Sequence, residues 1–287
     1  MRNEIFYLSE EKTVRLKAYL FDKYPEMSYR DKRPTVIVCP GGGYNFCSDR
    51  EADPIAMAFA GKGYNTFILY YSVGEAAAFP KPLCELSRAV KFIRENADDF
   101  GVIENQIAVC GFSAGGHLAA SLGVYWNNPE IQELSGCKNE ENKPNALILV
   151  YPVISSSWPQ RTGEKVAPHI VGKSDYDKIH NMFNLQNNVS PTTPTAFICH
   201  TFRDGTVPVE DSIKFADAMA KNNVPFELHI FPNGGHGLSL AVPQVTGGKK
   251  EASFSKWFEL CASWLERLFE NPEEANAPVN RAPYFFN

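Results

Sequence analysis

The stretch Gly-Phe-Ser-Ala-Gly at residues 111–115 decides the fold expected of this chain. An apolar run at 106–110 precedes it, and a helix-forming run at 116–122 follows it. A Gly-x-Ser-x-Gly turn between a strand and a helix is typical of a nucleophile elbow, in which a strained turn raises a serine hydroxyl above the sheet edge. Side chains at Gly111 and Gly115 would collide with the elements packed against such a turn. We therefore expect Ser113 to be a nucleophile, and the alternative is an ordinary Gly-Ser turn.

The composition is typical of a globular protein that does not bind nucleic acid. Of the 287 residues, 44% are apolar and 21% are charged, and the formal net charge is -5 without a block of like charges. The chain has no apolar stretch of 18 residues and no apolar signal-peptide core, so we expect neither a membrane span nor secretion. Seven scattered cysteines argue against a disulfide framework and favour the reducing cytoplasm. Metal-binding spacings such as Cys-x-x-Cys do not occur, and we expect no metal and no cofactor.

Apolar runs alternate with helix-period segments along most of the chain. Strand candidates are residues 35–39, 65–71, 106–110, 146–150, 195–199 and 226–231, with 4–8 and 14–20 as antiparallel strands added at one edge. Near-continuous apolar runs are typical of parallel strands that are covered on both faces. Between them, Leu83, Leu86, Val90 and Ile93 recur at helical spacing. The sequence therefore predicts an α/β fold with a mostly parallel, doubly wound sheet, in a single domain over residues 1–287.

The alternation breaks between residues 155 and 194, in a stretch rich in Ser, Pro, Asn and Thr. An insertion of this length is typical of a lid or a pocket wall, and the alternative is a surface excursion without function. We expect Trp158 or a short helix at 175–183 to border the pocket. The tail at 271–287 ends in Tyr284-Phe285-Phe286, which we expect to be buried against the body or against the second subunit of a homodimer.

A serine hydroxyl needs a base and an orienting carboxylate to act as a nucleophile at neutral pH. His236 lies in a glycine-rich loop directly after the last strand candidate, and Asp204 lies in the loop after the preceding one. We expect Ser113, Asp204 and His236 to form a catalytic triad, since this is the chain order of a hydrolase with a nucleophile elbow. The other histidines compete poorly, and His200 is expected near the acid. Asp211 is the weaker candidate for the acid, because a charge at the start of a helix is favoured by the helix dipole.

Three consecutive glycines, Gly41-Gly42-Gly43, follow the first core strand candidate. Acyl transfer builds negative charge on a carbonyl oxygen, which preorganised backbone N–H groups stabilise. We expect the N–H groups of Gly42, Gly43 and Ala114 to form this oxyanion hole. A phosphate-binding loop fails on spacing, because neither Gly-x-Gly-x-x-Gly nor Gly-Lys-Ser/Thr is present. A flexible turn is the alternative.

Three aromatic residues are candidates for the substrate pocket. Tyr44 follows the glycine run, Phe112 precedes the serine, and Trp158 lies in the insertion. Each could equally be a packing residue, because aromatic side chains bury large areas in protein cores.

Taken together, three stretches closely resemble the α/β-hydrolase superfamily, and specifically its bacterial acetyl esterase/lipase branch, which includes acetyl xylan esterases and bifunctional feruloyl/acetyl xylan esterases. The stretches are 36–44, 110–119 and the block from 200 to 238, and the resemblance covers most of residues 10–270. It implies Ser113 as nucleophile, His236 as base and Asp204 as acid, with the oxyanion donors in the glycine run and at Ala114. Pro40 stands where hormone-sensitive-lipase-like esterases have histidine, which favours the acetyl esterase branch.

The resemblance implies a serine carboxylesterase that removes small acyl groups, acetyl above all, from small-molecule alcohols such as sugars. Glycosidase chemistry is not expected, because a second, paired-carboxylate site would be redundant. One alternative is a serine peptidase of the prolyl-oligopeptidase type, although no residues are left for its usual gating domain. The other is a hydrolase fold reused for binding, against which the intact Ser113, Asp204 and His236 count.

Overall fold

Eight strands form one sheet. The computed structural model describes residues 1–156, 168–172, 176–248 and 251–275. The strands are β1 (Arg2–Tyr7), β2 (Arg15–Leu20), β3 (Arg33–Cys39), β4 (Asn65–Tyr70), β5 (Val102–Phe112), β6 (Ala146–Val150), β7 (Ala196–Thr201) and β8 (Phe226–Phe231). Their order is β1-β2-β4-β3-β5-β6-β7-β8, in which β2 runs antiparallel to both neighbours and β3 to β8 are parallel. The predicted α/β fold, with two antiparallel strands at one edge, is confirmed.

Helices cover both faces of this sheet. They are α1 (Asp53–Gly61), α2 (Lys81–Glu95), α3 (Ala97–Phe100), α4 (Ala114–Tyr125), α5 (Pro129–Ser135), α6 (Pro168–Val171), α7 (Tyr176–Phe183), α8 (Val209–Lys221), α9 (Pro243–Thr246), α10 (Trp257–Glu270) and α11 (Pro272–Ala275). Helices α2, α4 and α8 pack on one face, and α1 and α10 pack on the other. Among the described residues, no helix combines the length and the apolar content that a membrane span requires.

The alternation of side chains along the central strands explains why their sequences are apolar throughout. In β3, Ile37 and Cys39 belong to the core under α2 and α4, whereas Val36 and Val38 belong to the core under α1 and α10. Successive side chains of a strand point to opposite faces, so a strand covered on both faces has no polar side. Helix α4 is likewise buried along its whole length, because it lies between the sheet and its neighbouring helices.

The described part of the insertion packs beside helix α4. Helix α7 confirms the helix predicted at 175–183, and its Phe183 ring stacks on His117 of α4 with ring centroids 3.7 Å apart. The Tyr125 hydroxyl donates to the Met182 carbonyl at 2.9 Å. Residues 157–167 and 173–175, which include Trp158, and the tail at 276–287, which includes Tyr284-Phe285-Phe286, lie outside the described residues.

Asp211 lies at the start of a helix, as expected, and it also anchors a neighbouring segment of the chain. It lies in the first turn of α8 and is fully buried. Its carboxylate accepts hydrogen bonds from the backbone N–H groups of Ile154 and Ser155 at 2.8 and 3.1 Å, and from the Ser155 hydroxyl at 2.7 Å. A buried carboxylate is retained where such donors compensate its lost hydration. Asp211 therefore holds the chain where it leaves β6 and enters the insertion.

His117 makes the stability of this fold sensitive to mild acid. Its Nδ1 lies 2.9 Å from the Tyr44 hydroxyl and its Nε2 lies 3.2 Å from the Phe183 carbonyl, and burial lowers its pKa from 6.5 to about 3. Between these values the unfolded chain binds a proton that the folded chain does not, so stability falls as the pH falls. We expect this group to remove about 2 kcal/mol of unfolding free energy between pH 7.5 and pH 5.0.

Urea unfolding of the wild type and of His117→Gln at these two pH values measures the effect. The variant is expected to be less stable at pH 7.5, because the packed ring is lost, but to lose less stability on acidification. Equal losses in the two proteins would show that His117 is not the group that takes up the proton.

Candidate active site

Ser113 stands on a strained turn between β5 and α4. Its backbone has φ 54° and ψ -118°, a conformation that residues other than glycine rarely adopt. The Ser113 N–H donates to the Val150 carbonyl at 3.1 Å, and its carbonyl accepts from Val153 N–H at 3.1 Å. The neighbouring strand β6 and the residues after it therefore hold the turn in place.

The two flanking glycines are required by close approach of the backbone. A Cβ atom on Gly111 would lie 2.1 Å from the Gly115 carbonyl oxygen, and one on Gly115 would lie 2.1 Å from the Cys39 carbonyl oxygen. Neither contact is sterically allowed, and backbone atoms cannot rotate away as the end of a side chain can. The structure thus places the predicted elbow directly against the end of β3.

The three residues predicted as a triad form one chain of hydrogen bonds. The Ser113 Oγ lies 2.8 Å from His236 Nε2, and His236 Nδ1 lies 2.7 Å from Asp204 Oδ2. Since an ionised carboxylate can only accept, Nδ1 carries the proton and Nε2 is left to accept from the serine hydroxyl. Residues 113, 204 and 236 come together because β5, β7 and β8 all end at the same edge of the sheet.

Asp204 is held as a carboxylate. Burial alone would raise its pKa, but hydrogen bonds from His200 and His236, together with that of the Thr206 N–H, outweigh burial and place the pKa below its ordinary value. The Thr206 and Val207 N–H groups donate to Oδ1 at 2.8 and 2.9 Å. His200 Nε2 lies 3.3 Å from Oδ2, where it was expected from the sequence. The acid therefore carries its charge at neutral pH.

The predicted oxyanion donors have no competing acceptor. Gly42 and Gly43 line the same pocket as Ser113 and His236, and both have positive φ, at 128° and 62°. In the described part of the chain, the N–H groups of Gly42, Gly43 and Ala114 donate to no acceptor. Ala114 begins α4, and the first N–H groups of a helix lack partners within it. These groups are free to bind an anionic oxygen, and their role stays a prediction.

Two of the three aromatic pocket candidates are wrong. Phe112 is fully buried in the core under α10, and Tyr44 is 1% exposed, with its hydroxyl on His117. Each belongs to the packing around the turn, because its side chain points into the layer between sheet and helices. The third, Trp158, lies outside the described residues. Among the described residues, the phenyl ring of Phe46, which is 59% exposed, lines the pocket.

The pocket beside Ser113 has a volume of about 200 Å³. Its described lining is Gly42, Gly43, Phe46, Ser48, Arg50, Glu51, Ser113, Thr206, His236 and Gly237. None of the described residues between 155 and 194 belongs to it, so helix α7 does not border the pocket as expected. For residues 157–167 and 173–175, which lie outside the described residues, the role as a lid or pocket wall stays a prediction. Larger grooves lie along α10, but their described lining contains no residue of the triad.

Sequence reasoning missed Phe46, Arg50 and Glu51. All three lie within ten residues of the glycine run, which was the available signal. None of the three belongs to a recognisable sequence motif. Each lines the pocket because the chain between β3 and α1 folds back over the end of the sheet. Proximity in sequence to the oxyanion loop was therefore informative, but residue type alone was not.

The chain is similar to known hydrolase enzymes. The family model BD-FAE matches residues 21–219. The chain is 36% identical over 232 residues to an endo-1,4-beta-xylanase B of Butyrivibrio fibrisolvens, covering 78% of this chain and 35% of that protein. It is 30% identical over 255 residues to an acetylxylan esterase of Xylanibacter ruminicola, covering 84% of this chain and 47% of that protein. The chain thus spans half or less of the length of these two relatives.

A solved structure extends the likeness to nearly the whole fold. MGS-M1, an alpha/beta hydrolase enzyme from a Medee basin deep-sea metagenome library, matches with a TM-score of 0.77 and 35% sequence identity. The match covers 94% of this chain and 98% of that one. The agreement therefore concerns the complete architecture around the elbow and not a single motif.

Replacing each candidate acid separately tests which aspartate belongs to the site. We expect Asp204→Asn to lower kcat by about 10⁴, because an amide favours the wrong imidazole tautomer. Asp211→Asn should leave kcat nearly unchanged but lower the unfolding free energy by about 1–3 kcal/mol, since its buried donors lose an acceptor. Ester hydrolysis and urea unfolding of both variants separate the two effects. The opposite ranking in kcat would place the acid at Asp211.

Proposed function

The chain belongs to the BD-FAE family, in the esterase branch of the α/β-hydrolases, and on this premise we propose that it is a serine carboxylesterase acting on short-chain acyl esters of sugars. The observation that carries the proposal is the hydrogen-bonded series Ser113–His236–Asp204, which opens into a pocket with unpaired backbone N–H groups. Carboxylic ester hydrolysis is the chemistry that this arrangement performs in other hydrolases with the same chain order.

Acylation follows from the geometry of the site. His236 Nε2 takes the proton of the Ser113 hydroxyl while Oγ attacks the ester carbonyl carbon. Negative charge moves to the carbonyl oxygen, where the N–H groups of Gly42, Gly43 and Ala114 stabilise it. The C–O bond to the alcohol then breaks, and the imidazolium returns its proton to the leaving oxygen. Asp204 stabilises that imidazolium throughout, because it remains a carboxylate.

Deacylation repeats these steps with water. The imidazole of His236 removes a proton from the water molecule, whose oxygen attacks the acyl carbon. The tetrahedral oxyanion occupies the same N–H groups, and the bond to Ser113 Oγ breaks as the serine regains its proton. The carboxylic acid leaves, and the site returns to its starting state without any cofactor entering the steps.

The size of the pocket supports a small acyl group. A volume of about 200 Å³ lies below the range of about 300–1,000 Å³ that is usual for pockets of drug-sized ligands. Gly42, Gly43, Ser113 and His236 already make up four of its ten described lining residues. An acetyl group is the acyl part that this space favours, and one relative is named as an acetylxylan esterase.

The mouth of the pocket supports a sugar as the alcohol part. The exposed ring of Phe46 packs over the glycine run, where its Cδ2 lies 3.2 Å from the position of a Cβ on Gly42. Arg50 and Thr206 add polar groups to the same lining. A flat apolar surface beside a few hydrogen-bonding groups suits a pyranose ring, which has an apolar face and hydroxyls at its edge.

The nucleophile is tested by Ser113→Ala with p-nitrophenyl acetate as substrate. We expect kcat to fall by about 10³–10⁶ with an unchanged circular-dichroism spectrum, because the remaining groups cannot form an acyl-enzyme. A fluorophosphonate probe should label the wild type at Ser113 and not label the variant. An aminoacyl-proline anilide serves as the peptidase control and should not be cleaved. Near-wild-type turnover by Ser113→Ala would end the serine esterase proposal.

The alcohol subsite is tested by Phe46→Ala. We expect kcat/KM for acetylated xylo-oligosaccharides to fall about tenfold, since aromatic contacts contribute about 0.5–1.5 kcal/mol. Hydrolysis of ethyl acetate, whose alcohol part is too small to reach the ring, should change little. Phe202→Ala is the matched control, because Phe202 is 68% exposed but does not line the pocket. Equal losses on both substrates would assign Phe46 to loop structure and not to sugar binding.

A further inference from the structure

A buried glutamate lies beneath the pocket, and the proposed reaction does not yet use it. Glu51 is 3% exposed and ends the short 3-10 turn Asp49–Glu51 that precedes α1. Burying a carboxylate is unfavourable unless hydrogen bonds and charges compensate the lost hydration. A buried charge that lies against an active site therefore calls for a physical reason.

The first contact of Glu51 is with the oxyanion loop. The Gly41 N–H donates to Oε2 at 2.8 Å. A Cβ on Gly41 would lie 2.6 Å from Oε2 and 3.0 Å from the Ser113 Cβ, so the carboxylate lies directly under the loop and beside the serine. Because Gly41 immediately precedes the two candidate oxyanion donors, its position decides where their N–H groups point.

The second contact leads to the loop that carries His236. The Tyr151 hydroxyl donates to Glu51 Oε1 at 2.7 Å and accepts from the Ser239 N–H at 2.8 Å. The ring of Tyr151 meets the imidazole of His236 edge to face, with centroids 5.1 Å apart. Tyr151 adopts φ 39°, an unfavourable conformation for a bulky residue, in order to place its side chain here.

The hydrogen-bond network of Glu51, Tyr151 and Ser239 returns to the turn that carries Glu51. The Ser239 hydroxyl donates to the carbonyl of Arg50, the residue before Glu51. The Ser239 carbonyl in turn accepts from the indole N–H of Trp257 at 2.9 Å. One carboxylate thus fixes the oxyanion loop and the histidine loop relative to each other, although these loops are about 190 residues apart in the chain.

Both oxygens of Glu51 act as acceptors. The Gly41 N–H can only donate, and the Tyr151 hydroxyl uses its lone pair for Ser239 and its proton for Glu51. Burial raises the pKa of Glu51 above its ordinary value, and the hydrogen bonds from the Tyr151 hydroxyl and the Gly41 N–H, with the charges of His236 and Arg50, act against burial in favour of the carboxylate. The charged and titratable groups that face it are Arg50 on the same turn, His236 on the opposite loop, the Tyr151 hydroxyl from the end of β6, Tyr71 after β4 and Cys110 in β5.

We propose that Glu51 is a positioning residue for the ester hydrolysis described above. Through Gly41 and Tyr151 it holds the oxyanion donors and His236 in fixed positions relative to each other. Its negative charge also favours the imidazolium that forms during acylation. The inference rests on the proposed function. It adds a second carboxylate whose charge acts on His236, besides Asp204, which is hydrogen-bonded to Nδ1. Fixed groups of this kind stabilise developing charge without reorganising during the reaction.

The test is Glu51→Gln, which keeps the volume and removes the charge. We expect kcat/KM for p-nitrophenyl acetate to fall by about 10- to 100-fold, mostly in kcat, as is usual for groups that orient a reacting residue. The acidic limb of the pH profile of kcat/KM should move to lower pH, because His236 loses a nearby negative charge. Glu51→Asp, which keeps the charge on a shorter side chain, should keep the position of the limb while lowering kcat.

The matched control is Glu85→Gln. Glu85 is also buried, at 2% exposure, and its carboxylate accepts from the Ser72 N–H and hydroxyl at 2.8 and 2.6 Å, but it does not line the pocket. This variant should lose thermal stability without moving the acidic limb. Tyr151→Phe keeps the charge of Glu51 and breaks the link to Ser239, so it should lower kcat and serves if Glu51→Gln does not fold.

The outcomes separate this inference from the proposed function. A wild type that hydrolyses no ester and does not react with a fluorophosphonate probe overturns the proposed function. An active wild type whose Glu51→Gln variant keeps the same kcat and acidic limb overturns the positioning role. A loss of kcat with an unmoved limb, matched by Glu85→Gln, shows a purely structural role and also overturns it. A shifted limb in Glu51→Gln alone supports it.

Discussion

The architecture depends on one close approach of backbone to backbone, at the point where β5 turns into α4. Gly115 lies so near the end of β3 that a Cβ there would come within 2.1 Å of the Cys39 carbonyl oxygen. Ser113 can keep its strained conformation only because the surrounding strands and the buried helix α4 leave it no other. The same approach brings the glycine run after β3 beside the serine, so that the nucleophile and its candidate oxyanion donors share one pocket.

Around this turn, the carboxyl ends of the parallel strands hold three of the buried carboxylates of the described residues. Asp204, Asp211 and Glu51 are each buried there. The carboxylate of each accepts a hydrogen bond from a backbone N–H group of a nearby loop. Strand ends leave such donors unpaired, and a carboxylate satisfies several of them at once. Only Asp204 also contacts the histidine directly. The other two shape the loops on which the proposed chemistry takes place, which is why buried charge alone does not identify a catalytic acid.

The similarities to known proteins concern the framework of the fold. The match to MGS-M1 covers 94% of the chain, whereas the two curated relatives are at least twice as long as the region they share with it. The framework therefore supports ester hydrolysis as a proposal, and the alcohol specificity that we propose is assigned to a few residues at the mouth of the pocket, among them Phe46 and Arg50. Differences in substrate within such a fold are expected in loops, since the strands are committed to the core.

The sequence by itself determined which segments form strands, where the elbow lies and which three residues come together beside it, because each is encoded by a local pattern. Apolar runs mark buried strands, and glycines mark places where the backbone comes close. Only the tertiary structure decided that Phe46 and not Tyr44 or Phe112 faces the pocket, that α7 packs on α4, and that Glu51 meets Tyr151. These outcomes depend on contacts between segments far apart in the chain, such as the 100 residues between Glu51 and Tyr151. No local pattern carries that information, because it arises from how the loops close over the end of the sheet.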